Sequence, residues 1–349
     1  MKGRISFFLL LIIGFVAEAQ IGGNSTYQFL TVSPNARING LGGYAIATPD
    51  ADLHLSGQNP ALLRRENDRQ VGFSYLNYFN DIGAGEFRIA KHFDSIETTF
   101  AAGVQYITYG NFTRTAPDGQ ELGTFSAGEY NYHVSAARKY EQFSYGTTLK
   151  FIYSNLDAYS SMGFAIDLGG TWKSENELTT VSAVISNLGA QFKTYTQDNR
   201  EEIPNNFQLG ITKKFAHAPF RFGIVAHNLQ KPGKLLYNIQ DRNIISLETG
   251  EPIEDEFTVF QKAMAHMVFS TELLLGKSLN FRFGYNMLRK REMELTQARS
   301  SGGFTWGFGL RISKFHFSYG FGGFIPGRNS NSFSVITNLH DFKKGKSKR

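Results

Sequence analysis

Residues 303–322 read Gly-Phe-Thr-Trp-Gly-Phe-Gly-Leu-Arg-Ile-Ser-Lys-Phe-His-Phe-Ser-Tyr-Gly-Phe-Gly. Alternate positions carry Phe304, Trp306, Phe308, Leu310 and Ile312, and beyond a tight connection at Ser313-Lys314 the set resumes with Phe315, Phe317, Tyr319 and Phe321. Between them lie Thr305, Gly307, Gly309 and Arg311, then His316, Ser318, Gly320 and Gly322. A repeat of two is the mark of a β-strand, whose side chains point alternately to opposite faces. One face of this hairpin is wide and aromatic; the other is small and polar. A soluble sheet hides the first kind of face and wets the second. The opposite arrangement, apolar side chains out and polar ones in, is that of an outer-membrane barrel.

The same sorting recurs. Phe143, Tyr145, Leu149, Phe151 and Tyr153 alternate with Ser144, Gly146, Thr148 and Lys150, and Leu279, Phe281, Phe283 and Tyr285 with Asn280, Arg282, Gly284 and Asn286. Phe220, Phe222 and Ile224 oppose Arg221 and Gly223. Charges keep to one face, as a bilayer demands, because a charge on the lipid side costs about 2–4 kcal/mol at the midplane. From Val71 onward there are about fourteen such stretches, at 70–79, 83–93, 97–109, 128–139, 142–155, 160–172, 178–189, 205–215, 219–230, 262–275, 278–288, 302–312, 314–323 and 331–341. An even number fits an all-β, closed antiparallel barrel with both ends on one side. Connections after even-numbered strands are short, whereas 110–127, 190–204, 231–261 and 289–301 are long. Short periplasmic turns and long external loops are the rule for such barrels.

Composition agrees: 32 Phe, 16 Tyr and 36 Gly suit many alternating strands, and the absence of cysteine excludes a disulfide framework or a thiolate metal site. Residues 1–19 read as a secretory signal, with Lys2 and Arg4, an apolar core from Ile5 to Val16, and Ala17-Glu18-Ala19 before a cut at Gln20. The formal charge of +6 sits at the two ends, +1 in that signal and +5 in the tail 343–349, so the body from Gln20 to Phe342 is neutral. No nucleic-acid partner is expected; outer-membrane lipid is. Residues 20–69 lack strand periodicity and are rich in small and turn-forming types, including Gly40-Leu41-Gly42-Gly43 and Asn59-Pro60-Ala61. They are expected to form an N-terminal plug segment, for which inward glycines leave room, with the barrel over 70–342.

Motifs of chemistry are few. Gly276-Lys277-Ser278 lacks the earlier glycine of a phosphate loop, and Asp50-Ala51-Asp52 is followed by His54 and Leu55 where a calcium loop needs a ligand and a glycine. His133, His227 and His316 read as polar lumen residues. No catalytic residue, cofactor or metal is expected. The longest loop, 231–261, places apolar Leu235, Leu236, Tyr237, Ile244, Ile245 and Phe257 beside acidic Glu251, Glu254, Asp255 and Glu256, a candidate partner-docking surface.

A family resemblance rests on Ala36-Arg37 leading to Gly40-Leu41-Gly42-Gly43, on Asn59-Pro60-Ala61-Leu62, Tyr109-Gly110-Asn111-Phe112, Gly123-Thr124-Phe125-Ser126-Ala127, Ser186-Asn187-Leu188-Gly189 and His217-Ala218-Pro219-Phe220. In this order they resemble the PorQ branch of the PorV-like outer-membrane barrels of the type IX secretion apparatus, a group distantly FadL-like. The resemblance implies a fourteen-stranded, non-catalytic barrel in the attachment complex with PorU and PorV, tethering PorZ at the cell surface. It departs from the usual barrel in ending on a basic tail after its last strand. The alternative is a FadL-like transporter of hydrophobic small molecules.

Overall fold

The computed structural model describes residues 25–196, 200–233, 235, 257–276, 278–293, 302–325 and 328–343. Fourteen strands form the wall: β1 (Gln70–Phe79), β2 (Ile82–Phe93), β3 (Thr98–Thr115), β4 (Glu121–Tyr140), β5 (Phe143–Leu156), β6 (Tyr159–Lys173) and β7 (Thr179–Lys193), then β8 (Asn206–Lys214), β9 (Phe220–Ala226), β10 (Met267–Leu275), β11 (Leu279–Asn286), β12 (Phe304–Ile312), β13 (Phe315–Ile325) and β14 (Arg328–Asn338). Each pairs antiparallel with its sequence neighbours, and β1 closes on β14 in a register running from Gln70↔Asn338 to Asn77↔Asn331. Closure leaves no strand edge unpaired, which a bilayer requires because hydrocarbon offers backbone N–H and C=O groups no partner.

The faces are inverted relative to a soluble sheet. Phe283 is 56% exposed and Phe304 65%, while Arg282, between Phe281 and Phe283, is 0% exposed. Tyr132, Val134, Leu149 and Phe164 point outward in the same way, and His133, Lys150 and Asp167 are buried inside. The inner face is not polar throughout. Leu76, Ala84, Ile107 and Ile152 point inward too, and pack with Tyr27, Phe29 and Ile203.

Several bounds differ from those read in the sequence. The stretch 110–127, expected as a loop, is mostly strand: β3 runs to Thr115 and β4 begins at Glu121. Residues 111–115 are exposed on both faces, so this hairpin projects beyond the barrel and carries no inside–outside contrast to read. Residues 262–265, expected in a strand, belong to α2 (Val259–Ala265), which follows α1 (Ala36–Gly40) in chain order. Thr258 starts α2 with a capping box, its hydroxyl accepting from Gln261 N and the Gln261 side chain accepting from Thr258 N. Likewise Asn286 caps α3 (Met287–Glu292) and ends β11 two residues early. The last strand stops at Asn338, and α4 (His340–Lys343) turns Phe342 back edge-on to Phe315 at 5.9 Å.

The strands run so that turns after β2, β4, β6, β8, β10 and β12 lie at one mouth with both ends of the wall, at Gln70 and Asn338. The ends of β7, β9 and β11 and the starts of β8, β10 and β12 lie at the opposite mouth.

The outward assignment is tested by placing a charge on the lipid face. Phe283→Arg is expected to destabilise the barrel by about 2–4 kcal/mol in urea titrations from lipid vesicles. On a water-facing surface the same change stays within about 0.5 kcal/mol.

Candidate functional site in the lumen

The inner wall carries its densest chemistry where β9, β10 and β11 lie side by side. Glu272 stands directly across from Arg221 on one neighbour and from Arg282 on the other. Arg221 Nη1 donates to Glu272 Oε2 at 2.7 Å and Arg282 Nε to Oε1 at 3.3 Å. This row has one positive charge too many. The N-terminal segment supplies the balance, with Arg37 of α1 and the pair Asp50 and Asp52. Arg37 donates to Glu272 Oε1 from Nε at 3.1 Å and from Nη2 at 2.9 Å, and from Nη1 to Asp52 at 3.3 Å. It also pairs with Asp50, which accepts from Arg221 at 2.8 and 2.9 Å. Three guanidiniums and three carboxylates thus form one neutral knot, half from the wall and half from the segment.

Burial alone would raise the Asp50 carboxyl, but the Arg37 and Arg221 guanidiniums overcome it and hold the group well below the ordinary carboxylate range. Asp52 is lowered in the same sense, chiefly by Arg37.

Other contacts run the length of the segment. Thr26 N donates to Glu202 O at 2.8 Å near the long-loop mouth, and the Tyr27 hydroxyl meets Ser161 Oγ at 2.5 Å. Asn35, which caps α1, donates to Ser74 at 3.3 Å and Ser334 at 3.2 Å, two serines that face each other across the β1–β14 seam. His54 Nδ1 lies 3.2 Å from Glu86, whose other oxygen accepts from Arg88 at 2.7 Å. Asn59 donates to Ile46 O at 2.7 Å and to Thr171 at 3.0 Å. Tyr44 stacks on His227 at 4.5 Å; burial, with His266 and Arg289 nearby, pushes that imidazole down to about 3, so the ring is neutral there.

Wall glycines make these approaches sterically open. A Cβ on Gly284 would collide with Gly42 N, one on Gly320 with Ala36 O, and one on Gly146 would sit 2.6 Å from Pro60 C. Side chains cannot be added there without moving the segment.

His133 and His227 are buried and inward-facing, and His316 is partly buried on the same inner face. Among the described residues no group of three or more His, Asp or Glu is arranged to hold a metal ion. Of the candidate docking residues, Leu235 and Phe257 are half-buried, and Leu236, Tyr237, Ile244, Ile245, Glu251, Glu254, Asp255 and Glu256 lie outside the described residues. The knot itself was not singled out in the sequence, although Arg221, Glu272 and Arg282 all fall on inward positions of the strand alternation, which is a usable signal.

A closed fourteen-strand barrel with an aromatic exterior and its buried charges inside is an integral outer-membrane β-barrel. The comparisons agree. Residues 18–231 match the family described as "Type IX secretion system protein PorV", more than half of the chain, and the protein belongs to that family. Among solved structures, the Ralstonia pickettii toluene transporter TbuX shares the fold at a TM-score of 0.50 and 10% identity, covering 89% of this chain and 98% of its own. The P. putida toluene transporter TodX does so at 0.52 and 11%, covering 87% and 98%. A Pseudomonas aeruginosa FadL homologue aligns at 0.44 and 12%, covering 88% and 98%. No curated protein matches the chain.

Removing one member of a buried ion knot strands the rest, at a cost of about 3–5 kcal/mol. Arg37→Ala is therefore expected to loosen residues 25–69 while the barrel remains heat-modifiable on gels, seen as faster proteolysis of the segment and raised conductance in planar bilayers. The pH dependence follows from the lowered Asp50 group. A carboxyl whose folded pKa is depressed contributes stability above its unfolded value and loses it as pH falls through the folded one. Wild-type conductance should thus hold steady from neutral pH down to about 4 and rise only below it.

Proposed function

We propose that this barrel is a non-catalytic scaffold of the type IX secretion attachment complex, of the PorQ kind, which holds a PorZ-like partner at the cell surface alongside PorU and PorV. In this reading residues 25–69 are a plug. The observation that carries it is the ion knot of Arg37, Asp50 and Asp52 with Arg221, Glu272 and Arg282, because a segment bonded to the wall at both ends and the middle is built to stay. A barrel whose interior is spent on its own chain offers its outer loops as the working surface. The family membership supports the setting, and the length of the connection between β9 and β10 supports the choice of loop.

The transport reading draws on TbuX and TodX, whose fold is shared. It needs an apolar route through the lumen. Where the inner wall is apolar, around Leu76, Ile107 and Ile152, the space is taken by Tyr27 and Phe29. This favours the scaffold.

Deleting residues 234–257 spares Thr258 and the capped start of α2. The shortened barrel is expected to reach the outer membrane heat-modifiable and to release PorZ from the cell surface. Retention of PorZ at wild-type level would refute that loop as the dock, and uptake of a labelled hydrophobic tracer that depends on this barrel would favour transport.

A further inference from the structure

The mouth at the short turns, periplasmic for a barrel of this kind, holds a cavity of about 770 Å³. That is within the roughly 300–1,000 Å³ typical of ligand sites. Arg37, Arg221, Asp50 and Asp52 of the ion knot line it, and among them the charges balance. Lys214, Arg311 and Lys314 line it too, against Asp341 as the one further carboxylate among the described lining residues. With its histidines neutral, the lining therefore carries two positive charges in excess. Register builds this excess into the wall. Lys214 stands directly across from Arg221 on β9, and Arg311 directly across from His316 on β13. Like charges in opposed positions destabilise a sheet, and an anion lying between them relieves the repulsion.

Two buried polar atoms narrow the chemistry. Arg221 is 6% exposed, and its two terminal nitrogens are spent on Asp50 and Glu272, yet its Nε–H has no acceptor. Asn280 lines the same cavity, and its buried Oδ1 has no donor. A buried donor and a buried acceptor each cost free energy while unmatched. A ligand that suits both offers negative oxygens to the first and a hydroxyl to the second.

We propose that this mouth binds a soluble phosphate ester whose body carries hydroxyl groups, of the sugar phosphate kind. A phosphate monoester is close to a dianion at neutral pH, which matches the excess charge of the lining. Arg311 offers it a planar two-pronged donor and Lys214 a point charge. The Nε–H of Arg221 adds a further donor, and a hydroxyl of the body donates to Asn280 Oδ1. The volume agrees, because a bare phosphate would leave most of the 770 Å³ unfilled. A phospholipid headgroup has related chemistry, but Lys214, Arg221 and Arg311 stand on lumen-facing positions of their strands, where acyl chains would have to leave the bilayer. The site is independent of any partner at the outer loops.

The test titrates glucose 6-phosphate into the full-length barrel in phosphatidylcholine nanodiscs by calorimetry, with glucose and inorganic phosphate as separate titrants. Glucose 6-phosphate is expected to bind with a saturable heat, inorganic phosphate more weakly and glucose not at all. Lys214→Gln/Arg311→Gln should weaken binding of the ester at least about tenfold, and Asn280→Ala about threefold. The double variant should keep its heat-modifiable mobility because both side chains are exposed. The proposal is overturned if the ester gives no saturable heat, or if the folded double variant binds it like wild type. Inorganic phosphate binding as tightly as the ester would overturn it in favour of a small-anion site. Loss of ester binding when phosphatidylglycerol is included in the nanodiscs would overturn it in favour of a lipid headgroup site.

Discussion

The constraint on which the whole molecule depends is that hydrocarbon bonds to nothing. Every peptide group that crosses it must find its partner in the wall, so the sheet has to return to its own first strand. The β1–β14 register achieves this over Gln70 to Asn77, and the seam is reinforced from within by Ser74, Ser334 and Asn35. The same constraint sorts the side chains. Phenylalanines take the outside, and Arg88, Lys150, Arg221, Glu272 and Arg282 are turned inward, where they must be satisfied by protein.

That inward requirement links wall and N-terminal segment. Arg221, Glu272 and Arg282 in register leave one positive charge unmatched, and Arg37, Asp50 and Asp52 leave one negative charge unmatched. Neither half would be comfortable buried alone, since an uncompensated charge in a low-dielectric interior is strongly disfavoured. Together they are neutral. The close approach they need is provided by missing side chains at Gly284, Gly307 and Gly320, over which α1 and the residues after it lie. The glycines and the charges of the inner face are thus two parts of one interface.

Much of this was legible in the sequence. Alternation of Phe and Tyr with Gly, Ser and charge gave the strand number and the inverted faces, because a bilayer imposes a strict period of two. Legibility failed where that imposition stops. The β3–β4 hairpin beyond residue 110 stands clear of the barrel, and with both faces wet it carries no contrast. Residues 259–265 mix apolar and polar types without a clear period, and the helix there depends on the local cap at Thr258. The ion knot was hidden for another reason: Arg37 and Glu272 are distant in sequence, and only the register of three strands and the path of a non-periodic segment bring them together.

Lipid touches the aromatic side of each strand, and the opposite side faces an interior. The natural chain has no cysteine, so single cysteines carrying nitroxide spin labels can be placed one at a time from residue 304 to 312 in liposomes. Accessibility to dissolved oxygen, which concentrates in hydrocarbon, should peak at positions 304, 306, 308, 310 and 312 and fall at 305, 307 and 309. Oxygen accessibility that is uniform along the stretch, or peaks at the odd-numbered positions, would contradict the inverted barrel and everything built on it.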